Sequence, residues 1–336
     1  MDNHILFMQR CLQLAKLGES FVAPNPMVGA VLVYNNRIIG EGYHKKFGSE
    51  HAEVNCINSV KEEDKTFISK ATLYVSLEPC AHFGKTPPCA DLIIKHKIPK
   101  VVISIQDNFA AVNGKGIERL RENGIEVITD VLKKETQLLL KHFLFFHKNK
   151  TPYITLKFAQ SADGYLGIKN EETKISNALS KRYVHQLRAK HQSILVGKNT
   201  ILIDNPELTV RYFNGKNPIR IVLGNKINIP TDYHIFNEKA KTIFIENKDK
   251  ISIHELLNYL AKEQIISVLI EGGSDVLHQF IATNVWNEAH IITNKNLHLE
   301  EHKESTSLIK APAIQGESVE TINLEDNYVT ILKNKI

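Results

Sequence analysis

The sequence predicts an α/β protein built from two domains. Three observations carry this. A chain of 336 residues is long for one core of ordinary size. Apolar strand-like runs alternate with amphipathic helical stretches in both halves. The polar segment HKNKTP, residues 147–152, interrupts that alternation just before a fresh apolar run. The expected domains are 1–146 and 151–336.

The elements follow in order. The opening MDNHILFMQRCLQLAKLG is broken by Asp2, His4, Gln9, Arg10 and Lys16, so it predicts an amphipathic helix and not a secretory leader. GAVLVYNNRIIGEGYH predicts a hairpin, because Asn-Asn tolerates the positive φ of a tight turn. SEHAEVNCINSV predicts a helix capped by Ser49, with His51 and Glu53 near its start, and ATLYVSLEP a strand. A helix from Cys89, the strand KVVISIQD, the helix GIERLRENG and the strand IEVIT complete a largely parallel sheet. The second half reads as strands YITLKFA, SILVG, PIRIVLG, KTIFIE, IISVLIEGG, EAHIIT and YVTILKN, with helices SKRYVHQLRAKH, IHELLNYLAKE and one from Ser274.

Composition narrows the function. Hydrophobic residues make up 43% and charged residues 24%, neither polar enough for disorder nor apolar enough for a bilayer. No run has the apolar length of a spanning helix, and a cytoplasmic protein is expected. In that reducing compartment Cys11, Cys56, Cys80 and Cys89 are not expected to form a disulfide framework. The net charge of +5 lacks concentrated Lys/Arg blocks, and suits an anionic small molecule as well as any other partner.

The stretch SLEPCAHFGKTPPCADL holds two cysteines too far apart for a CxxC knuckle. A hydrolytic zinc site needs three protein ligands and one open position for water, and His51, Cys80 and Cys89 supply that number. Glu53, two residues after His51, is close enough to face the same cavity without ligating, as a proton shuttle requires. Together these predict hydrolytic deamination of an amidine-like ring carbon. A lone HxE or a lone cysteine pair is more often structural, but HAE followed by a Glu-Pro-Cys turn resembles the zinc deaminases, which carry H-x-E and P-C-x-x-C. Cys11 and Cys56 fall on apolar helix faces and are expected to be packing residues.

The wider cysteine spacer identifies the branch. NPMVGAV, GYHKKFGSEHAE and SLEPCAHFGKTPPCADLI together resemble the deaminase domain of the bifunctional riboflavin-biosynthesis deaminase/reductase family. The resemblance implies a cytidine-deaminase-like three-layer domain. It also implies a pocket for a phosphorylated ribosylaminopyrimidine formed by Asn25, His44, Glu78, His82 and Lys85, with His82 and Lys85 presented by the spacer.

In the second half, VLIEGGS is a strand-to-helix turn of the kind whose free N–H groups hold phosphate, which alone is weak evidence. With TLKFAQSADG and HQLRAKHQSILVGKNTILIDNPELTVR it resembles the reductase domain of the same family, similar in fold to dihydrofolate reductase. The resemblance implies cofactor contacts at Ile175, Thr200, Asp204, Gly272, Gly273 and Ser274, and substrate contacts at Thr173, Arg188, Leu208, Arg211 and Glu271. It implies one zinc ion per chain, NADPH, and two reactions. The first is deamination of 2,5-diamino-6-ribosylamino-4(3H)-pyrimidinone 5′-phosphate, and the second is reduction of the ribosyl side chain to ribityl. A homo-oligomer is expected, with neither nucleic acid nor membrane as partner. Lys157 and Asp163 lie near the implied site without an assigned role, an Asp-Gly turn accounting for Asp163.

The chain departs from the family pattern at DNFAAVNGKG, where prolines are missing, at TKISNA, which lacks the usual tryptophan, and at NKNLHLEEHKESTSLI, which lacks a glycine pair. Two other readings remain open: a nucleic-acid cytosine or adenosine deaminase with an RNA-binding second domain, and a structural zinc closed by His82 as fourth ligand.

Overall fold

The computed structural model describes residues 3–81, 87–107, 114–169, 171, 173–246, 251–301 and 307–335. The chain divides into two compact units, Met1–Lys150 and Thr151–Ile336.

The first unit begins with α1 (Asn3–Lys16), β1 (Gly29–Tyr34) and β2 (Arg37–Tyr43). It continues through α2 (Ala52–Asn58), β3 (Thr72–Leu77), α3 (Cys89–Lys95), β4 (Lys100–Ile105), α4 (Lys115–Glu122) and β5 (Glu126–Ile128), and ends with α5 (Lys133–Leu139) and α6 (Lys141–Asn149). The sheet order is β2-β1-β3-β4-β5, with β3, β4 and β5 mutually parallel and β1 antiparallel to both neighbours. Asn35 and Asn36 both take positive φ in the hairpin turn, as the Asn-Asn pair predicts. The unbroken apolar runs of the strands arise because both faces are covered. Ala30, Leu32, Leu73, Val75, Val101 and Ile103 pack under α2, α3 and α4. The alternate residues Val31, Val33, Tyr74 and Val102 pack under α1. Those two clusters are the outer interfaces of three layers. They hold Cys56 and Cys11 respectively as buried packing residues. Helix α6 runs through Asn149, so the polar stretch from residue 147 is helical for three residues before the chain turns.

The second unit opens with β6 (Tyr153–Gln160), β7 (Tyr165–Ile168), α7 (Ala178–Lys190), β8 (Ser193–Gly197) and α8 (Lys198–Asp204). Next come β9 (Ile219–Leu223), β10 (Thr242–Ile245), α9 (Ile253–Lys262), β11 (Ser267–Ile270) and α10 (Ser274–Ala282). It closes with β12 (Glu288–Asn294), β13 (Leu308–Lys310), β14 (Glu317–Leu324) and β15 (Asn327–Lys333). Eight strands lie in the order β10-β9-β8-β11-β6-β12-β15-β14. The first six are parallel and the last two antiparallel additions. A separate ribbon, β7 with β13, stands beside the sheet. Helix α9 starts with a complete capping box, Ser252 with Glu255. Among the described residues no helix is long and apolar enough to cross a membrane.

Candidate metal and substrate sites

In the first unit the ends of three elements converge. His51 is the N-cap residue of α2, Cys80 lies three residues past the end of β3, and Cys89 opens α3. His51 Nδ1 lies 3.7 Å from Cys80 Sγ and 3.4 Å from Cys89 Sγ, and the three ligand atoms fall within 4.8 Å of one another. Zinc–sulfur and zinc–nitrogen bonds of ordinary length at a tetrahedral angle put S and N about 3.6 Å apart. The donor set and its spacing therefore fit a zinc ion with one position to spare. The Cys89 backbone N–H donates to Cys80 Sγ at 3.3 Å. A hydrogen bond from Cys89 pulls the Cys80 thiol down, His51 adding to it, while the same contact and burial push the Cys89 thiol up. Without metal the pair thus favours a single thiolate, whereas metal binding draws off both protons.

Glu53 sits in the first turn of α2 and is 3% exposed. Burial, then the charge at Cys80, pushes its carboxyl up to about 7, the range in which a group both takes and gives a proton near neutrality. His44 packs edge-on against His51 with ring centroids 5.6 Å apart. Its Nδ1 donates to the Glu50 carbonyl at 3.0 Å, so its Nε2 is the acceptor for Asn25 Nδ2 at 3.1 Å. Burial lowers the His44 pKa, in keeping with this neutral tautomer. Asn25 and His44 thus form one hydrogen-bonded wall beside His51.

Glu78 does not join that wall. Its buried carboxylate accepts four backbone N–H bonds, as many as its lone pairs can take. His82 and Lys85 lie outside the described residues.

In the second unit a cavity of about 1030 Å³ is lined by Thr173, Ile175, Thr200, Asp204, Gly273 and Ser274, together with Lys157 and Glu271. Strand β11 and α10 meet at its edge. Gly272 lies there against β8 so closely that a Cβ would sit 2.5 Å from Val196 Cα, which requires glycine. Thr173 Oγ1 accepts from the Ile168 N–H at 3.1 Å, tying it to β7. The Ile175 side chain is buried, and its carbonyl accepts from Asn294 Nδ2 and Asn327 Nδ2.

Glu271 and Arg188, both implied substrate contacts, face each other. Arg188 Nε and Nη2 reach the two carboxylate oxygens at 2.7 and 2.9 Å, and Nη1 donates to the Thr209 carbonyl at 3.1 Å. Lys157 Nζ approaches the same carboxylate at 3.5 Å. Burial pushes the Glu271 carboxyl up, but the Arg188 and Lys157 charges more than offset this and hold it at about 2. Lys157, left without a role in the sequence reading, therefore belongs to this cluster. Its signal was its place on β6, four residues along the same strand face from the buried Tyr153. Asp163 accepts from Ser161 Oγ and from the Glu300 N–H, a turn role. The Leu208 side chain is buried in an apolar cluster with Val196 and Ile201, so a substrate contact there falls to its backbone, which has φ +51°.

Arg211 has Glu207 Oε2 at 2.6 Å and its backbone N–H on His185 Nδ1 at 2.8 Å. Burial, then the Arg188 and Arg211 charges, pushes the His185 pKa from 6.5 to about 4. A base so depressed stays neutral in the fold while the unfolded chain takes up a proton. Its stabilising contribution is full above pH 6.5 and is lost as pH falls toward 4. After allowance for solvent screening, the loss expected from pH 7 to pH 5 is about 1 kcal/mol. Urea unfolding at both pH values should show that increment in the parent and not in His185→Asn; equal slopes would refute it.

Comparison with known proteins agrees with the two halves. Residues 1–105 match the family described as the cytidine and deoxycytidylate deaminase zinc-binding region, and residues 152–294 match the RibD C-terminal domain. Riboflavin biosynthesis protein RibD of Bacillus amyloliquefaciens is 38% identical over 309 residues, covering 84% of this chain and 82% of the relative. A Thermotoga maritima crystal structure is described as a diaminohydroxyphosphoribosylaminopyrimidine deaminase/5-amino-6-(5-phosphoribosylamino)uracil reductase. It superposes with a TM-score of 0.87 at 33% identity over 99% of both chains. Acinetobacter baumannii RibD superposes with a TM-score of 0.88 at 28% identity over 98% of both.

Proposed function

The chain belongs to the RibD family of bifunctional riboflavin biosynthesis enzymes, and from that premise we propose how its own residues divide a deamination and a reduction between the two units. The observation that carries the first is the convergence of His51, Cys80 and Cys89 with Glu53 buried beside them. Zinc is the cofactor there and, when bound, supplies a water acidic enough to be nucleophilic at neutral pH. Glu53 would take one proton from the attacking water and hand it to the ring nitrogen next to the attacked carbon, then take the second from the hydroxyl of the tetrahedral adduct as its carbonyl forms and deliver it to the amino group, which leaves as ammonia. Asn25 and His44, with His82 and Lys85, form the pocket for the phosphorylated ribosylaminopyrimidine. The substrate is 2,5-diamino-6-ribosylamino-4(3H)-pyrimidinone 5′-phosphate.

NADPH is the cofactor of the second unit and, when bound, supplies the hydride. Thr200, Asp204 and the Gly272–Gly273–Ser274 turn hold it, with Ile175 packing against it. Arg188, Arg211, Glu271 and Thr173 hold the deaminated substrate, so that its sugar carbon is presented in one orientation. The enzyme acts on small pyrimidines as a cytoplasmic homo-oligomer. The match of residues 152–294 to a reductase domain leaves no support for an RNA-binding second half.

The test gives the zinc-loaded protein the diaminopyrimidinone ribosyl phosphate and follows ammonia release and NADPH absorbance together. Ammonia first and NADPH loss second is the expected result. Ammonia alone would mean that the altered TKISNA stretch has cost the reductase, and neither signal would overturn the reading.

A further inference from the structure

Among the described residues the Glu78 carboxylate is held by backbone groups. Oε1 accepts from the N–H groups of Gly116 and Ile117 at 2.9 and 3.2 Å, and Oε2 from those of Asp107 and Gly114 at 3.0 and 3.1 Å. Gly116 and Ile117 are the second and third residues of α4, whose cap position is Gly114, a residue with no side chain to offer. N–H groups at a helix start have no partner within the helix. Glu78 serves them from the end of β3, as a capping Ser or Asp serves them from within. Its charge also lies at the positive end of the α4 dipole.

The consequence falls two residues along, on Cys80. The Glu78 N–H donates to the Ile105 carbonyl at 3.0 Å, prolonging the pairing of β3 with β4. The Pro79 carbonyl lies so near α4 that a Cβ on Gly116 would stand 2.0 Å from its oxygen. On the other side the Cys80 carbonyl accepts from the Ala90 N–H at 3.1 Å and Cys80 Sγ from the Cys89 N–H. The turn bearing Cys80 is therefore suspended between α3, which it meets directly, and α4, which it meets through Glu78 and Pro79.

We propose that Glu78 is a positioning residue of the zinc site, a carboxylate anchor that sets where Cys80 stands, and not a contact for the pyrimidine substrate. The proposal rests on the metal reading of His51, Cys80 and Cys89. Glu78→Gln replaces one acceptor oxygen with an NH₂ that faces two N–H donors, so half the anchor becomes repulsive. Chelator competition is expected to show zinc affinity weakened by about 10–100-fold, with kcat for ammonia release falling in step and KM moving less than about twofold. NADPH oxidation with the deaminated pyrimidine should stay at the parent rate, which reports that the chain remains folded. Gly116→Ala leaves the carboxylate chemically intact but crowds the Pro79 carbonyl and the Glu78 side chain, whose Oε1 would stand 3.1 Å from the added Cβ, so it forces the same turn away from α4 and is expected to weaken zinc binding likewise. It carries the test alone if Glu78→Gln fails to fold.

A raised KM with parental zinc affinity and kcat would instead make Glu78 a substrate contact. Parental zinc affinity in both variants would reduce it to a helix cap. His51→Ala is the reference: if that variant holds zinc like the parent, the metal reading has failed and not the anchor.

Discussion

Glu53→Gln is expected to bind zinc as the parent does and to release ammonia about 10²–10⁴-fold more slowly, the range that a positioned general acid–base contributes. The side chain is buried in the first turn of α2 and is not one of the three converging ligands, so the metal should not notice its neutralisation. Glutamine keeps the volume and the hydrogen-bonding reach of glutamate but has no proton-accepting oxygen of suitable basicity. The loss should therefore appear in kcat, with KM changed little, since the proposed ring contacts are Asn25 and His44. Metal analysis beside initial rates of ammonia release measures both quantities. A variant with full zinc and full turnover would mean a structural ion, and one that loses zinc would make Glu53 a ligand.

The chemistry at this centre was legible because its spacing is local. His51 and Glu53 are two residues apart at a helix start, and Cys80 follows Pro79 at a strand end, so element boundaries alone bring three chemical groups to one edge of the sheet. The backbone bonds of Glu78 were not legible for the opposite reason. Its partners lie 29 to 39 positions away and are backbone groups, which leave no trace in side-chain identity. Strand β14 was missed because most of its residues are exposed, so its ESVETINL has no core-facing alternation to read. Helix α8, seven residues long with only Ile201 buried, likewise offers too short a stripe. The face of β6 that carries Lys157 could be counted, but its ion pair with Glu271, 114 residues later, depends on β11 lying beside β6. That adjacency is a matter of sheet order, which strand patterns do not specify.

That same ion cluster gives the largest expected stability effect. Glu271→Gln is expected to destabilise the second unit by about 3–5 kcal/mol, because it leaves Arg188 and Lys157 as buried cations without a counter-charge. Their side chains are 11% and 14% exposed, so water replaces little of what the carboxylate supplied. Denaturant unfolding followed on the whole chain should show the second unit melting earlier, while ammonia release by the first unit is kept. The pair's own worth is a separate question, since taking two charges out of water costs much of what their attraction returns. Glu271→Met combined with Arg188→Met and Lys157→Met removes all three charges and is expected to recover most of the stability lost by Glu271→Gln. On the proposed reading Arg188 and Glu271 also hold the pyrimidine substrate, so NADPH oxidation should not recover. Restored stability with restored reduction would make the cluster a packing device; a single variant costing less than about 1 kcal/mol, the worth of an exposed pair, would mean that solvent reaches it.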